Sequence, residues 1–181
     1  MQEIVDQPAW CGGNSASFII SSTSGDAASG RLAESVDAGN GKAPKLVVEY
    51  DHLTANGCIQ GELSYQVSSQ SNNAEETNNG YQSTGSELTF NDNYNEYLGM
   101  RFKNVAIPQG ATIIDAYLEF TAYQNRTGSG ASFTISAANE GDPDSFSSYP
   151  RYLLRDKPKT AAVTWNNIPA WYKNSTYQSP S

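Results

Sequence analysis

Residues 72–76 concentrate hard oxygen donors: Asn72, Asn73, Glu75 and Glu76, with Asp92 and Glu96 following after a second polar stretch. Carboxylates and amide carbonyls presented from loops are the ligands calcium takes, so calcium is the one cofactor this pattern suggests. A solvated acidic loop is the plainer reading, because no D-x-[DN]-x-[DN]-G loop accompanies the donors. A second set is aromatic. Trp171, Tyr172 and Tyr177 crowd the last part of the chain, and Trp10, Trp165, Tyr149 and Tyr152 also fall in or near loops. An exposed row of such rings would stack on sugar faces. Arg151 and Arg155, with Arg126, could pair with glycan carboxylates through the guanidinium fork. Packing beneath long loops is the competing fate of the rings, and charge neutralisation that of the arginines.

Catalysis finds little support. The only histidine is His52, beside Asp51. A nucleophile must be held against such an imidazole for triad chemistry, and no G-x-S-x-G elbow or phosphate-cradling glycine loop occurs. Carboxylates are plentiful enough for glycoside hydrolysis, but their separation is not readable from sequence. The chain is therefore expected not to be an enzyme. Cys11 and Cys58 are the two cysteines; they could form one disulfide in an exported protein and would stay free in a cytosolic one. Without a C-x-x-C pair, a thiolate zinc site is not expected.

The elements that would position these residues are short strands. Hydrophobic residues make up 38% of 181, and Ser, Asn, Thr, Gly and Tyr are abundant, as in exported β proteins. A net charge of -8 with no basic stripe argues against nucleic acid and anionic membranes. No apolar run reaches spanning length, so membrane insertion is not expected. Met1-Gln2-Glu3 does not open a signal peptide; an excised piece, or a chain without its leader, is the expectation.

The clearest pattern runs from Tyr97 to Ala122. Leu98, Met100 and Phe102 alternate with Gly99, Arg101 and Lys103; Ile114, Ala116, Leu118 and Phe120 alternate with Asp115, Tyr117 and Glu119. This predicts two half-buried strands, joined at Ile107-Pro108-Gln109-Gly110 by a type I turn. Further strands are predicted over 17–21, 31–35, 45–51, 63–69, 86–90, 131–138 and 160–165. Residues 2–7 read as one helical turn stopped by Pro8. Residues 71–85 and 139–159 read as long polar loops, and 52–61 as a connector. About nine strands and no sustained helical period predict an all-β, antiparallel β-sandwich.

Four segments carry a resemblance. GMRFKNVAIPQGATIIDAYLEF (99–120), SQSNNAEE (69–76), VTWNNIPAW (163–171) and APKLVVEY (43–50) resemble landmarks of an extracellular β-sandwich repeat of large marine bacterial surface proteins and adhesins. That repeat is distantly similar to DNRLRE-type carbohydrate-binding modules. The resemblance implies a jelly-roll-like antiparallel β-sandwich with long loops and one short helical turn, at a bacterial cell surface or outside the cell. The family's opening usually carries aspartates where Asn72 and Asn73 stand; the asparagines lower the ligand charge and would weaken a calcium site. The landmark order is permuted: a closing portion (1–50) precedes a connector (51–64) and the opening portion (65–181) of one sandwich. Either the two portions fold on one another, or they are exchanged between subunits into a head-to-tail fibre. The resemblance implies a non-enzymatic structural or adhesive module whose partners are copies of itself or neighbouring repeats. The alternative is a carbohydrate-binding module recognising polysaccharide.

Overall fold

The computed structural model describes residues 1–24, 29–54, 57–77, 80, 82–83, 85–90, 97–128, 130–146 and 153–181. It is the expected all-β antiparallel sandwich. The strands are β1 (Asn14–Ser24), β2 (Arg31–Glu34), β3 (Lys45–Thr54), β4 (Gly57–Gln66), β5 (Asn73–Glu76), β6 (Gln82–Ser83), β7 (Glu87–Phe90), β8 (Tyr97–Val105), β9 (Thr112–Thr121), β10 (Ser132–Ala137), β11 (Val163–Trp165) and β12 (Thr176–Gln178). One layer is six-stranded, in the order β11-β10-β1-β8-β5-β6. The other is four-stranded, β12-β9-β3-β4, and β2 and β7 form a separate pair. Phe18, Leu98, Met100, Phe102 and Phe133 from the first layer meet Leu46, Val48, Leu118 and Phe120 from the second in one core.

The stretch from Tyr97 to Ala122 folds differently from the expected hairpin. β8 pairs with β1 and β5, whereas β9 pairs with β3 and β12, so the chain crosses between layers after Val105. Alternation fixes which side chains face the core, and an inter-layer crossing satisfies it as well as a hairpin does. The turn also closes one residue later than expected: Ala111 N–H donates to Pro108 O at 3.2 Å. Gly110 then sits third, at φ 68°, the position where a type II turn requires positive φ. Within β9, Asp115 faces Glu49 and Ile113 faces Tyr50, which leaves Ile114 without a partner on β3. This bulge turns the alternation over: Ile114 is 48% exposed, and Ile113 packs against the core instead.

The expected connector is the greater part of a hairpin. β3 and β4 stay in unbroken register from Lys45 opposite Gln66 to Thr54 opposite Gly57. The strand expected over 63–69 caught only the end of β4; the polar sequence hid its first part, and so did Gly61, whose missing Cβ makes room for the Tyr50 ring. Strands β5 and β6 arise in the stretch 71–85 read as loop, and β12 arises where no strand was expected. Among the described residues two four-residue α-helices occur rather than one turn: α1 (Gln2–Val5) and α2 (Leu153–Asp156). α2 lies on the outer face of the six-stranded layer. There Leu154 and Phe146 pack with Ile19 and Ala74 in a second small core. A Cβ on Gly99 would stand 2.7 Å from Leu154 Cδ2 and 2.8 Å from Phe146 Cζ, so glycine is what lets this cover seat.

Candidate functional site

The predicted calcium donors are held together in sequence and separated in space. Glu75 and Glu76 are successive strand residues and therefore point to opposite faces. The Glu75 carboxylate accepts the Thr89 N–H, covering an edge of β7. Glu76 is fully buried on the other face and accepts the N–H groups of Leu154 (2.7 Å) and Arg155 (3.2 Å). Asn72 Oδ1 accepts from Arg101 Nη1 at 3.0 Å, while Arg101 Nε donates to Pro143 O at 2.6 Å. Asn73 is fully buried, and its side-chain amide has no partner among the described residues. Among the described residues no group of three or more His, Cys, Asp or Glu side chains is placed to hold a metal. Asp92 and Glu96 lie outside the described residues. Glu76, Asn72 and Arg101 instead strap the 139–159 segment to the sheet. Lys159 ties the end of the segment to itself, donating to Arg155 O at 2.6 Å; burial lowers its pKa against the pull of Glu76 and Asp156.

The aromatic platform is corrected by burial. Trp171 is 0% exposed and sits at the centre of the core, stacked on Tyr177 (4.9 Å between centroids, 10° between planes) and against Phe90 at 5.4 Å. Trp10 and Trp165 are also buried. None of the three tryptophans can offer a face to a sugar. Tyr177 is half-buried, and its hydroxyl accepts the Tyr172 N–H at 2.8 Å, which leaves Tyr172 as the exposed ring of the set. Arg155 pairs with Asp156 at 3.1 Å. Arg151, Tyr149 and Tyr152 lie outside the described residues. Cys11 is free and exposed, and the side chain of Cys58 lies outside the described residues. His52 stands within β3 opposite Ile59 rather than in a loop.

Two polar assemblies that the sequence did not announce organise the opposite ends of β9. Beyond its C-terminal end lies Arg31, 0% exposed. Its guanidinium donates to five backbone carbonyls: Pro169 (2.9 Å), Gly30 (3.1 Å), Gly128 (2.9 Å), Ile168 (2.9 Å) and Ser29. Desolvation lowers its pKa, against Tyr177, which raises it. One cation thus saturates its fork on three loop segments at once. Arg126 and Trp171 exchange both backbone hydrogen bonds beside it, at 2.8 Å each.

At the N-terminal end of β9, residues 1–10 plug the crossing between the layers. Ile4, Val5 and Trp10 are at most 1% exposed. Gly110 N–H donates to Val5 O (3.1 Å), Trp10 Nε1 to Ile107 O (2.9 Å) and Gln109 Nε2 to Gln7 O (2.8 Å). The Gln2 side chain brackets the crossing. Its Nε2 donates to Ala111 O at 3.0 Å and its Oε1 accepts from Ile113 N at 2.8 Å. Among the described residues no β-ladder ties this segment to a sheet. The one sequence signal for it was the helical turn before Pro8.

The bare outer face of the four-stranded layer carries a third feature. Glu62, Glu49 and Asp115 stand directly opposite one another on β4, β3 and β9. No protein-family model, curated protein or solved structure matches the chain.

Proposed function

We propose that this chain is a non-enzymatic structural or adhesive module of a bacterial cell-surface protein, and that it joins copies of itself head to tail by segment exchange. The supporting observation is where the first 50 residues lie. They supply β1, flanked by β10 and β8 in one layer, and most of β3, flanked by β9 and β4 in the other. Each layer thus depends on this portion for an interior strand. Withdrawn from its own chain, the portion would leave unpaired edges in both layers, which the identical portion of a neighbour satisfies equally well. An exchange of this kind does not close on itself when the subunits are offset, and it grows filaments. The residues that suggested chemistry support the same reading, since Glu75, Glu76 and Trp171 serve to brace loops and edges, as does Arg31, which the sequence did not single out. The test is a concentration series by analytical ultracentrifugation with electron microscopy of the concentrated protein. The reading expects mass to rise with concentration and filaments to form; a monomer at every concentration overturns it. Glycan recognition keeps only Tyr172 of its described tryptophan and tyrosine platform, and specific binding abolished by Tyr172→Ala on a glycan array would revive it.

A further inference from the structure

We propose that the crossing 105–113 is a receptor for the N-terminal segment of a second copy of this chain, and that residues 1–10 move as one plug about a hinge at Cys11-Gly12-Gly13. The proposal rests on the self-association reading and narrows it to the element that exchanges first. The plug has the properties of a bound peptide rather than of a strand. It buries Ile4, Val5 and Trp10. It is fixed to 107–113 by five hydrogen bonds, two of them from the Gln2 amide, which reads the backbone at Ala111 and Ile113 as a strand partner would. It leaves without breaking any strand pairing. The exchange of interior strands, by contrast, requires both layers to open.

The hinge has the matching properties. Gly13 sits at φ 102° with open space where a Cβ would stand, its N–H donates to Val105 O at 2.9 Å, and Cys11 two residues earlier is exposed. Glycine passes through positive φ at no steric cost, so this link can re-aim the plug. What holds the plug in its own chain is proximity: a short tether presents it at an effective concentration on the order of mM. A neighbour's plug makes identical contacts and wins when copies are crowded to that level, or when the tether is too short to close. Short hinges are a known route to exchange between protomers.

The test uses the full chain with Gly12 and Gly13 deleted, alone and combined with Trp10→Ala, with masses followed by native mass spectrometry and folding by circular dichroism. The expected result is that the deletion variant assembles at concentrations where the wild type is monomeric. Trp10→Ala in that background should weaken assembly at least ~tenfold, because it empties the deepest contact of the receptor. A folded deletion variant that stays monomeric, or that assembles regardless of Trp10→Ala, overturns the proposal. If the deletion variant does not fold, a labelled peptide of residues 1–13 offered to the wild-type chain decides. Saturable binding that Trp10→Ala in the peptide removes supports the receptor, and no binding at peptide concentrations of several mM, on the order of the tether's local concentration, overturns it. Wild-type filaments that ignore Trp10→Ala would sink this inference and leave the exchange of interior strands standing. A wild type and a deletion variant that are both always monomeric would sink both.

Discussion

The two ends of β9 solve one problem in opposite ways. Each end carries loops whose backbone groups need partners away from water. Beyond Thr121, a buried side chain on β2 does the work: Arg31 draws five carbonyls onto one guanidinium. Before Thr112, a separate piece of chain does it, and the crossing is satisfied by residues 1–10. The first solution cannot be undone without unfolding, because Arg31 belongs to a strand paired with β7. The second can be undone by rotation about a glycine link. A fold can thus hold one end fixed and leave the other available for exchange, and the difference lies in whether the satisfying group is tied into a sheet.

The largest effect expected from breaking this contrast is at the fixed end. Arg31→Leu strips partners from buried carbonyls on three loop segments and should cost about 3–5 kcal/mol by denaturant unfolding. Two of the three buried tryptophans, one near each end of β9, sharpen the contrast. Trp171→Ala opens a cavity in the main core and should cost about 3–5 kcal/mol of global stability. Trp10→Ala should cost less, because its loss is capped at the free energy of releasing the plug; a smaller shift in denaturant midpoint than for Trp171→Ala checks this. Gly99→Val drives methyl groups into Leu154 and Phe146 and should cost about 1–3 kcal/mol. Protease cutting within 139–159 should accelerate in the same variant. The smallest effect lies on the bare face of the four-stranded layer. Glu49 stands between Glu62 and Asp115, so Glu49→Thr should stabilise by about 0.2–1 kcal/mol, and less at high salt.

The strands were legible where burial followed a period of two. Phe133, Ile135 and Ala137 announced β10, and Leu98, Met100 and Phe102 announced β8, because one face of each meets a continuous core. Pairing was less legible. The same alternation suits a hairpin and an inter-layer crossing, and the bulge at Ile114 inverted the pattern midway along β9. β5 was hidden because Asn73 and Glu76 fill buried strand positions with polar side chains. The candidate site was read largely in reverse. Trp171 and Glu76 are the residue types that bind sugars and calcium when exposed, and sequence does not report exposure. Arg31 gave no signal at all, since an arginine whose partners are main-chain carbonyls leaves no complementary residue to notice. The plug showed only as a helical turn ended by Pro8, with nothing to say that its partner lies a hundred residues further along.

Native-state hydrogen exchange tests the central claim most directly, because individual amides report each end. Gly110 N–H and Ile113 N–H are protected by Val5 and Gln2 of the plug, whereas Arg126 N–H, Trp171 N–H and Tyr123 N–H are protected at the fixed end. The account predicts that Gly110 and Ile113 exchange together through an opening well below the global unfolding free energy, while Arg126, Trp171 and Tyr123 exchange only by global unfolding. Equal opening free energies at the two ends, or earlier opening at the arginine end, would contradict it.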